Sequence, residues 1–148
     1  MKRKLVFVFA LALFALLDGY LLSAISFFGK AGISLFYTQY NFLKIWWKGA
    51  LLVFIIWIFL FVVQNALSKK LSKATSNNLF AVSSLLAIIG MYFSYADFRN
   101  SLSHRWLGER FHLGVYLFWL GWIAISVYLL LEKNRALESI IKKTIEES

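Results

Sequence analysis

Four long apolar runs, separated by short polar segments, account for most of this chain. They extend over residues 5–28, 43–67, 79–95 and 113–131. About 20 apolar residues in a helix cross the hydrocarbon core of a bilayer, and each run is close to that length or longer. None shows the short alternating segments typical of a membrane β-barrel. The pattern predicts an all-α integral membrane protein, a bundle of four transmembrane helices.

The composition agrees with a lipid solvent. Of the 148 residues, 61% are hydrophobic and 19% aromatic, and the mean hydropathy is +0.71. Soluble domains contain roughly 45–50% apolar residues, and a small soluble domain keeps too much surface in water to hide the excess. Cysteine and proline are both absent, which excludes thiolate sites and proline kinks. We expect one four-span domain over residues 1–131 and a tail over 132–148.

The first run follows the basic residues Lys2, Arg3 and Lys4, as the apolar part of a secretory signal does. It is long enough to span the bilayer, and no Ala-x-Ala cleavage site follows it. We therefore interpret it as a retained first span. The Ser76–Asn78 cluster before the third run has the residue types of a helix N-cap, so the third helix is predicted to begin there.

The distribution of Lys and Arg predicts the orientation. Ten of the 16 lie at the N-terminus, between the second and third runs, or in the tail, and six lie in the other two connections and their borders. The positive-inside rule then places both termini in the cytoplasm. We expect the protein to lie in the inner, or plasma, membrane of the cell. The net charge of +9 is mostly explained by this bias. Because no basic soluble module exists, nucleic acid is not an expected partner.

The tail carries an apolar stripe at helical spacing, which predicts an amphipathic C-terminal helix. Such a stripe binds another protein, a second copy of the chain or the membrane surface, or it packs under the bundle. Glu138 and Lys142 are spaced i, i+4, as in a helical ion pair. The stripe, which we take as the candidate partner-binding surface, consists of Leu137, Ile140, Ile141 and Ile145.

Asp18 is the only acidic residue deep inside an apolar run, about 20 Å from its cytoplasmic end. An intramembrane carboxyl group is costly and is by default a functional hypothesis. Lys48, near the outer end of the second run, lies at a similar depth and is the expected ionic partner. Alternatives are a neutral Asp18 hydrogen-bonded near Tyr20 or Ser23, and a proton or ion pathway.

A second polar cluster precedes the last run. Phe98, Leu102 and Trp106 would form one apolar stripe there, which predicts a short interfacial helix. Acidic and imidazole groups are possible ligands for a divalent metal, but the spacing matches no metalloenzyme signature. A salt-bridged surface segment is the favoured interpretation, and a contact with a ligand or partner is the alternative. We expect no cofactor. The cluster consists of Asp97, His104, Arg105, Glu109 and His112.

Other residues inside the runs support smaller predictions. Gln64 and Asn65 would line a pore in an oligomer or bond to lipid headgroups. Gly19, Gly114 and Gly121 would mark close helix contacts. The many aromatic residues fit lipid-facing and interfacial packing better than a cofactor site.

No ordered catalytic set is present, so an enzyme is the weaker expectation. We expect a non-enzymatic protein that acts through contacts with itself or with another membrane or cytoplasmic protein. In size and topology it resembles small four-span bacterial membrane proteins, including toxin-immunity proteins and membrane components of phage defence. The alternatives are an oligomeric ion or proton channel that uses Asp18, and a metal-dependent membrane enzyme that uses the 97–112 cluster.

Overall fold

The computed structural model describes residues 2–24, 45–100 and 109–146 and is all-helical over those ranges. Helix α1 extends over Lys2–Ser23, α2 over Trp46–Lys70, α3 over Lys73–Asn100 and α4 over Glu109–Glu146. Each helix is long and apolar enough to cross a membrane. The prediction of four apolar helices is therefore confirmed. The predicted interfacial helix falls mostly on residues outside the described ranges.

The start of α3 differs from the prediction. The helix begins at Lys73, and the hydroxyl of Ser72 accepts a hydrogen bond from the backbone N–H of Thr75 at 3.3 Å. Ser72 thus occupies the N-cap, because its side chain satisfies a backbone donor of the first turn. Ser76 lies one turn inside the helix, fully buried, and donates to the Ser68 carbonyl oxygen at 3.3 Å. The prediction of a cap at Ser76–Asn78 was wrong.

Three of the four helices pack against one another, and the third is attached differently. Helices α1, α2 and α4 are in mutual contact, whereas α3 packs mainly on α4, meets α2 less extensively and does not contact α1. The core between the helices includes Leu11, Val53, Trp57, Phe80 and Ile125. Helix α4 is therefore the element that joins α3 to the rest of the bundle.

Glycines set the close approaches, as the sequence indicated. A Cβ on Gly19 would lie 2.2 Å from the backbone nitrogen of Ala50, so α1 and α2 touch at the main chain. A Cβ on Gly121 would lie 2.0 Å from the ring of Trp57. Small residues at such points allow helices in lipid to gain van der Waals contact.

The basic segments lie together at one end of the bundle. The ammonium group of Lys4 donates to the side-chain oxygen of Asn65 at 3.0 Å and lies 3.4 Å from a carboxylate oxygen of Glu132. Lys133 donates to the carbonyl oxygen of Ser68 at 2.7 Å. The start of α1, the α2–α3 connection and the start of the tail therefore share one end, which we call the basic end.

Helix α4 continues without a break into the predicted tail. Its 38 residues correspond to about 57 Å, well beyond the hydrocarbon thickness of about 30 Å. The amphipathic C-terminal helix is thus part of α4 rather than a separate element. Ile141 and Ile145 are 56% and 69% exposed, so they do not pack under the bundle. The side chains of Leu137 and Ile140 lie outside the described part of the structure.

Candidate functional site

Asp18 is a fully buried carboxyl group without a hydrogen-bond partner among the described residues. It belongs to the face of α1 that also buries Leu11, Ala15, Gly19 and Leu22. The side chain is 0% exposed, and neither carboxyl oxygen forms a hydrogen bond with residues 2–24, 45–100 or 109–146. Burial of an unpaired charge is costly, so this position suits the neutral acid better than the carboxylate.

The predicted partner of Asp18 lies elsewhere. Lys48 is exposed, and its ammonium group lies 5.6 Å from the ring centre of Trp47 on its own helix. The reason is the helical repeat: Lys48 precedes the buried Ala50 by two residues, about 200° around α2. The structure does not form the expected Asp18–Lys48 ion pair, although the depth estimate placed both near the same level.

The alternative partners of Asp18 are not used either. Tyr20 is 55% exposed, and the hydroxyl of Ser23 donates to the Tyr20 carbonyl oxygen at 2.8 Å. Arg105, a member of the cluster before the last span, lies outside the described residues. The site is therefore a carboxyl group on the buried face of α1, one residue before the Gly19–Ala50 approach.

A second buried polar site, which sequence reasoning missed, joins α2, α3 and α4. We call Gln64, Ser83, Trp122 and Ser126 the polar network. The Gln64 amide and the Trp122 indole N–H donate to the Ser83 hydroxyl at 3.0 and 2.9 Å. The Ser126 hydroxyl donates to the Gln64 carbonyl oxygen at 3.0 Å or to Ser83 at 3.1 Å. Gln64 is 5% and Ser126 0% exposed, so neither lines a pore or contacts headgroups here.

Tryptophans inside the spans bond to other helices instead of facing lipid. The indole N–H of Trp119 donates to the Ser94 hydroxyl at 3.0 Å, and that of Trp57 donates to the Phe118 carbonyl oxygen at 3.2 Å. Trp57 is fully buried, and the Trp119 ring occupies the space where Gly90 lacks a Cβ. The expectation of lipid-facing aromatic residues is wrong at these positions. An indole N–H needs an acceptor when it leaves water.

The cluster before the last span is only partly described. Asp97 is exposed at the end of α3, and Glu109 is exposed at the start of α4. The ring of His112 is stacked on Phe98, with the ring centres 4.1 Å apart. His104 lies outside the described residues. Within residues 2–24, 45–100 and 109–146, no three His, Asp or Glu side chains are grouped as metal ligands would be.

The chain matches no protein-family model, and it shows no significant similarity to a curated protein or to a solved structure.

Proposed function

We propose that this protein is a non-enzymatic inner-membrane protein that acts through protein–protein contacts. Both termini are in the cytoplasm, and the extension of α4 beyond the bilayer, residues 137–146, is the contact helix. The observation that carries the proposal is the unbroken course of α4 to Glu146 with Ile141 and Ile145 exposed. A toxin-immunity protein or a membrane subunit of a phage-defence system would work in this way.

The charges favour a protein surface over the membrane surface as the binding site of the contact helix. Helices that lie on anionic membranes are strongly basic on their polar face. Here Glu138 and Glu146 balance the two lysines at 142 and 143. An unbroken helix that leaves the bilayer with its transmembrane span also points away from the membrane plane, because bending it requires a local break in the helix.

A second copy of the chain is the partner that the contact helix fits best. Its acidic and basic residues are interleaved, as in the ion pair between Lys142 and Glu146 at 3.9 Å, so two copies do not repel each other strongly. The apolar positions 137, 141 and 145 are spaced to pack along a parallel partner helix. Two copies in one membrane also share an orientation, which raises their effective concentration.

Cysteine cross-linking tests the second-copy proposal cleanly, because the chain has no native cysteine. In a parallel pair, Ile141→Cys brings two thiols together and is expected to give a disulfide-linked dimer in membranes. Ser139→Cys lies about 200° away around the helix and is the matched control, expected to remain monomeric. Adding Ile145→Asn to Ile141→Cys should abolish the dimer. Equal cross-linking at both positions, or none, contradicts the proposal.

The wider proposal of protein contacts has a separate test. Tagged protein is purified from detergent-solubilised membranes with and without residues 134–148, and its oligomeric state and co-purifying proteins are determined. We expect the full chain to be recovered as an oligomer or with a partner. The truncated chain should be recovered as a monomer without a partner. Recovery of monomer alone in both cases would overturn the proposal. Alkaline phosphatase fused after Ser148 should be inactive if the C-terminus is cytoplasmic.

Asp18 supports a second candidate function, proton or ion transfer through an oligomer. The observation in its favour is the buried carboxyl group without a hydrogen-bond partner. An acid that bonds to none of the described residues is free to exchange a proton when the packing around α1 opens. Liposomes that contain wild type or Asp18→Asn, with a pH-sensitive dye inside, test it. Flux that Asp18→Asn removes supports the function, and absence of flux in both excludes it.

A further inference from the structure

A half-open cleft lies at the basic end, between the start of α1 and the tail side of α4. Its volume is about 320 Å³, at the lower limit of the range of roughly 300–1,000 Å³ for small-molecule sites. Helix α1 contributes Arg3 to its wall. Helix α4 contributes Tyr128, Glu132, Arg135 and Ser139. Two helices that are remote in sequence thus place one arginine each on a single concave surface.

The one carboxylate of the cleft is already neutralised. Glu132 lies 3.4 Å from the ammonium group of Lys4, which is fixed from its other side by a hydrogen bond to Asn65. Neither Arg3 nor Arg135 forms an ion pair with a carboxylate of the described residues. Guanidinium groups stay charged at any physiological pH. The cleft therefore presents two positive groups whose countercharge is not supplied by the helices around it.

Tyr128 forms part of the wall of the same cleft. Its ring is stacked on Phe7 with the ring centres 3.8 Å apart and the planes 4° from parallel, which fixes its position between α1 and α4. Its hydroxyl is buried and has no hydrogen-bond partner in the described part of the chain. The hydroxyl is enclosed, so recognition of a ligand in the cleft rests on the two arginines.

The level of the cleft matches that of lipid headgroups. Arg3 lies two residues before the apolar run that begins at Leu5, and Arg135 lies at the end of the apolar stretch of α4, Glu109–Ala136. Basic pockets between transmembrane helices at this level are typical binding sites of anionic headgroups. Lys69 and Lys70 are at the same end but on the exposed surface of α2, outside the cleft.

We infer that this cleft binds a phosphate-bearing anion between Arg3 and Arg135. The planar guanidinium group donates two parallel hydrogen bonds to phosphate oxygens, which an ammonium group cannot do. Two such groups that line one cleft supply enough donors to hold one phosphate. The phosphate belongs either to the headgroup of an anionic phospholipid or to a water-soluble phosphate compound that reaches the same end of the bundle.

Ligand-dependent thermal stability of the full chain in detergent tests the site. The unfolding midpoint is followed by tryptophan fluorescence while phosphatidylglycerol, phosphatidylcholine or inorganic phosphate is added. We expect a rise of several degrees with a saturable dependence on phosphatidylglycerol and no rise with phosphatidylcholine. If inorganic phosphate alone reproduces the rise, the ligand is a soluble phosphate. A rise only with the lipid identifies a headgroup site.

Matched variants separate the cleft from the general charge of the basic end. Arg3→Gln/Arg135→Gln removes two charges inside the cleft, and Lys69→Gln/Lys70→Gln removes two outside it. We expect the arginine pair to weaken apparent binding by roughly tenfold or more, since one charge-assisted contact contributes about that factor, and the lysine pair to change it little.

Ala136→Glu supplies a carboxylate within the cleft and should compete with the ligand. It also serves if the arginine variant folds poorly. Equal weakening by both charge pairs, or unchanged binding in Ala136→Glu, would overturn the site, because both outcomes mean that the anion is held by the general field of the basic end. An absence of any effect of phosphatidylglycerol and of inorganic phosphate on wild type would overturn it as well.

Discussion

Two buried polar regions of the bundle differ in one respect: whether their hydrogen bonds are made. In the polar network, Gln64, Ser83 and Ser126 are mutually bonded across three helices. At Asp18, the carboxyl group is equally enclosed, yet neither oxygen has a hydrogen-bond partner in the part of the chain that the structure describes. In lipid, where no water competes, a satisfied polar group fixes the arrangement of helices, whereas an unsatisfied one opposes burial.

The presence or absence of these hydrogen bonds matches the way in which α3 and α1 are attached to the bundle. Helix α3 has the least buried apolar stretch of the four, 11% against 22–28% for the others, so apolar packing alone gives it little attachment. Ser83 and Ser94 provide it with hydrogen bonds to Gln64, Trp122 and Trp119. Helix α1 touches α2 at the main chain through Gly19 and is hydrogen-bonded to it through Lys4 and Asn65 at the basic end. Asp18 contributes no hydrogen bond to this attachment within the described residues.

The largest expected loss of stability comes from a substitution at Gly19, the residue next to Asp18. Gly19→Ala places a Cβ 2.2 Å from the backbone of Ala50, which cannot rotate away as a side chain does. We expect a loss of about 3 kcal/mol in the free energy of unfolding, at the upper end of overpacking effects, because α1 must move off α2. Denaturation with SDS in mixed micelles, followed by tryptophan fluorescence, measures it.

Gly114→Ala is the matched control for this change. Its Cβ would lie 3.0 Å from atoms of Leu22, mostly those of a side chain that can adjust, so we expect a loss of about 1 kcal/mol. Gly19→Ala should also make Asp18 reactive towards a hydrophobic carbodiimide, with the adduct detected by mass spectrometry. If both glycine variants lose the same stability, the α1–α2 main-chain contact is not what encloses Asp18.

The next effect tests the polar network. Ser83→Ala removes the acceptor shared by the Gln64 amide and the Trp122 indole N–H, and leaves both donors buried. Each orphaned donor is unfavourable, and we expect a loss of about 2 kcal/mol. Ser94→Ala orphans only the Trp119 indole N–H and should lose about half as much. Equal losses in an SDS titration would mean that α3 is held by packing rather than by the network.

A polar-to-apolar substitution at Asp18 should raise the free energy of unfolding, whereas the substitutions above lower it. Asp18→Val removes a buried group that makes no hydrogen bond and replaces it with a slightly larger apolar side chain. We expect a gain of about 1 kcal/mol in the free energy of unfolding, because the desolvation cost of an unpaired polar group disappears. The same SDS titration measures it. A destabilisation comparable with that of Ser83→Ala would show that Asp18 has a structural bond in the membrane.

The sequence predicts the depth of a residue along its helix, but it does not predict the direction in which the side chain points. Depth follows from counting residues along a helix. The four spans and the similar level of Asp18 and Lys48 can therefore be predicted from the sequence. The direction of a side chain depends on which face of a helix the neighbours occupy. The apolar residues of α2 surround the whole helix, and nothing in its pattern marks Lys48 as outward or Gln64 as inward.

The polar network escaped sequence analysis for a related reason. Its members, at positions 64, 83, 122 and 126, are isolated in three different runs and share no motif. A serine in an apolar run is compatible with lipid exposure, since its hydroxyl bonds to its own helix, as Ser94 does with the Gly90 carbonyl oxygen. The glycine contacts were easier, because a missing side chain inside a span has few roles other than close approach.

The smallest expected effect concerns the ion pair that the sequence favoured. Lys48→Gln removes a charge that faces Trp47 on the exposed side of α2 and does not meet Asp18. We expect a change of less than about 0.5 kcal/mol in stability, typical of an exposed residue without a special contact. Carbodiimide labelling of Asp18 should stay at the wild-type level. If Lys48 did neutralise Asp18 in the bilayer, its removal would leave an unpaired buried charge, lower the stability by several kcal/mol and be rescued by Asp18→Asn. The double variant separates a paired from an unpaired Asp18 and Lys48 more sharply than either single variant. Two residues that do not interact have no coupling energy, so the effects of their substitutions simply add.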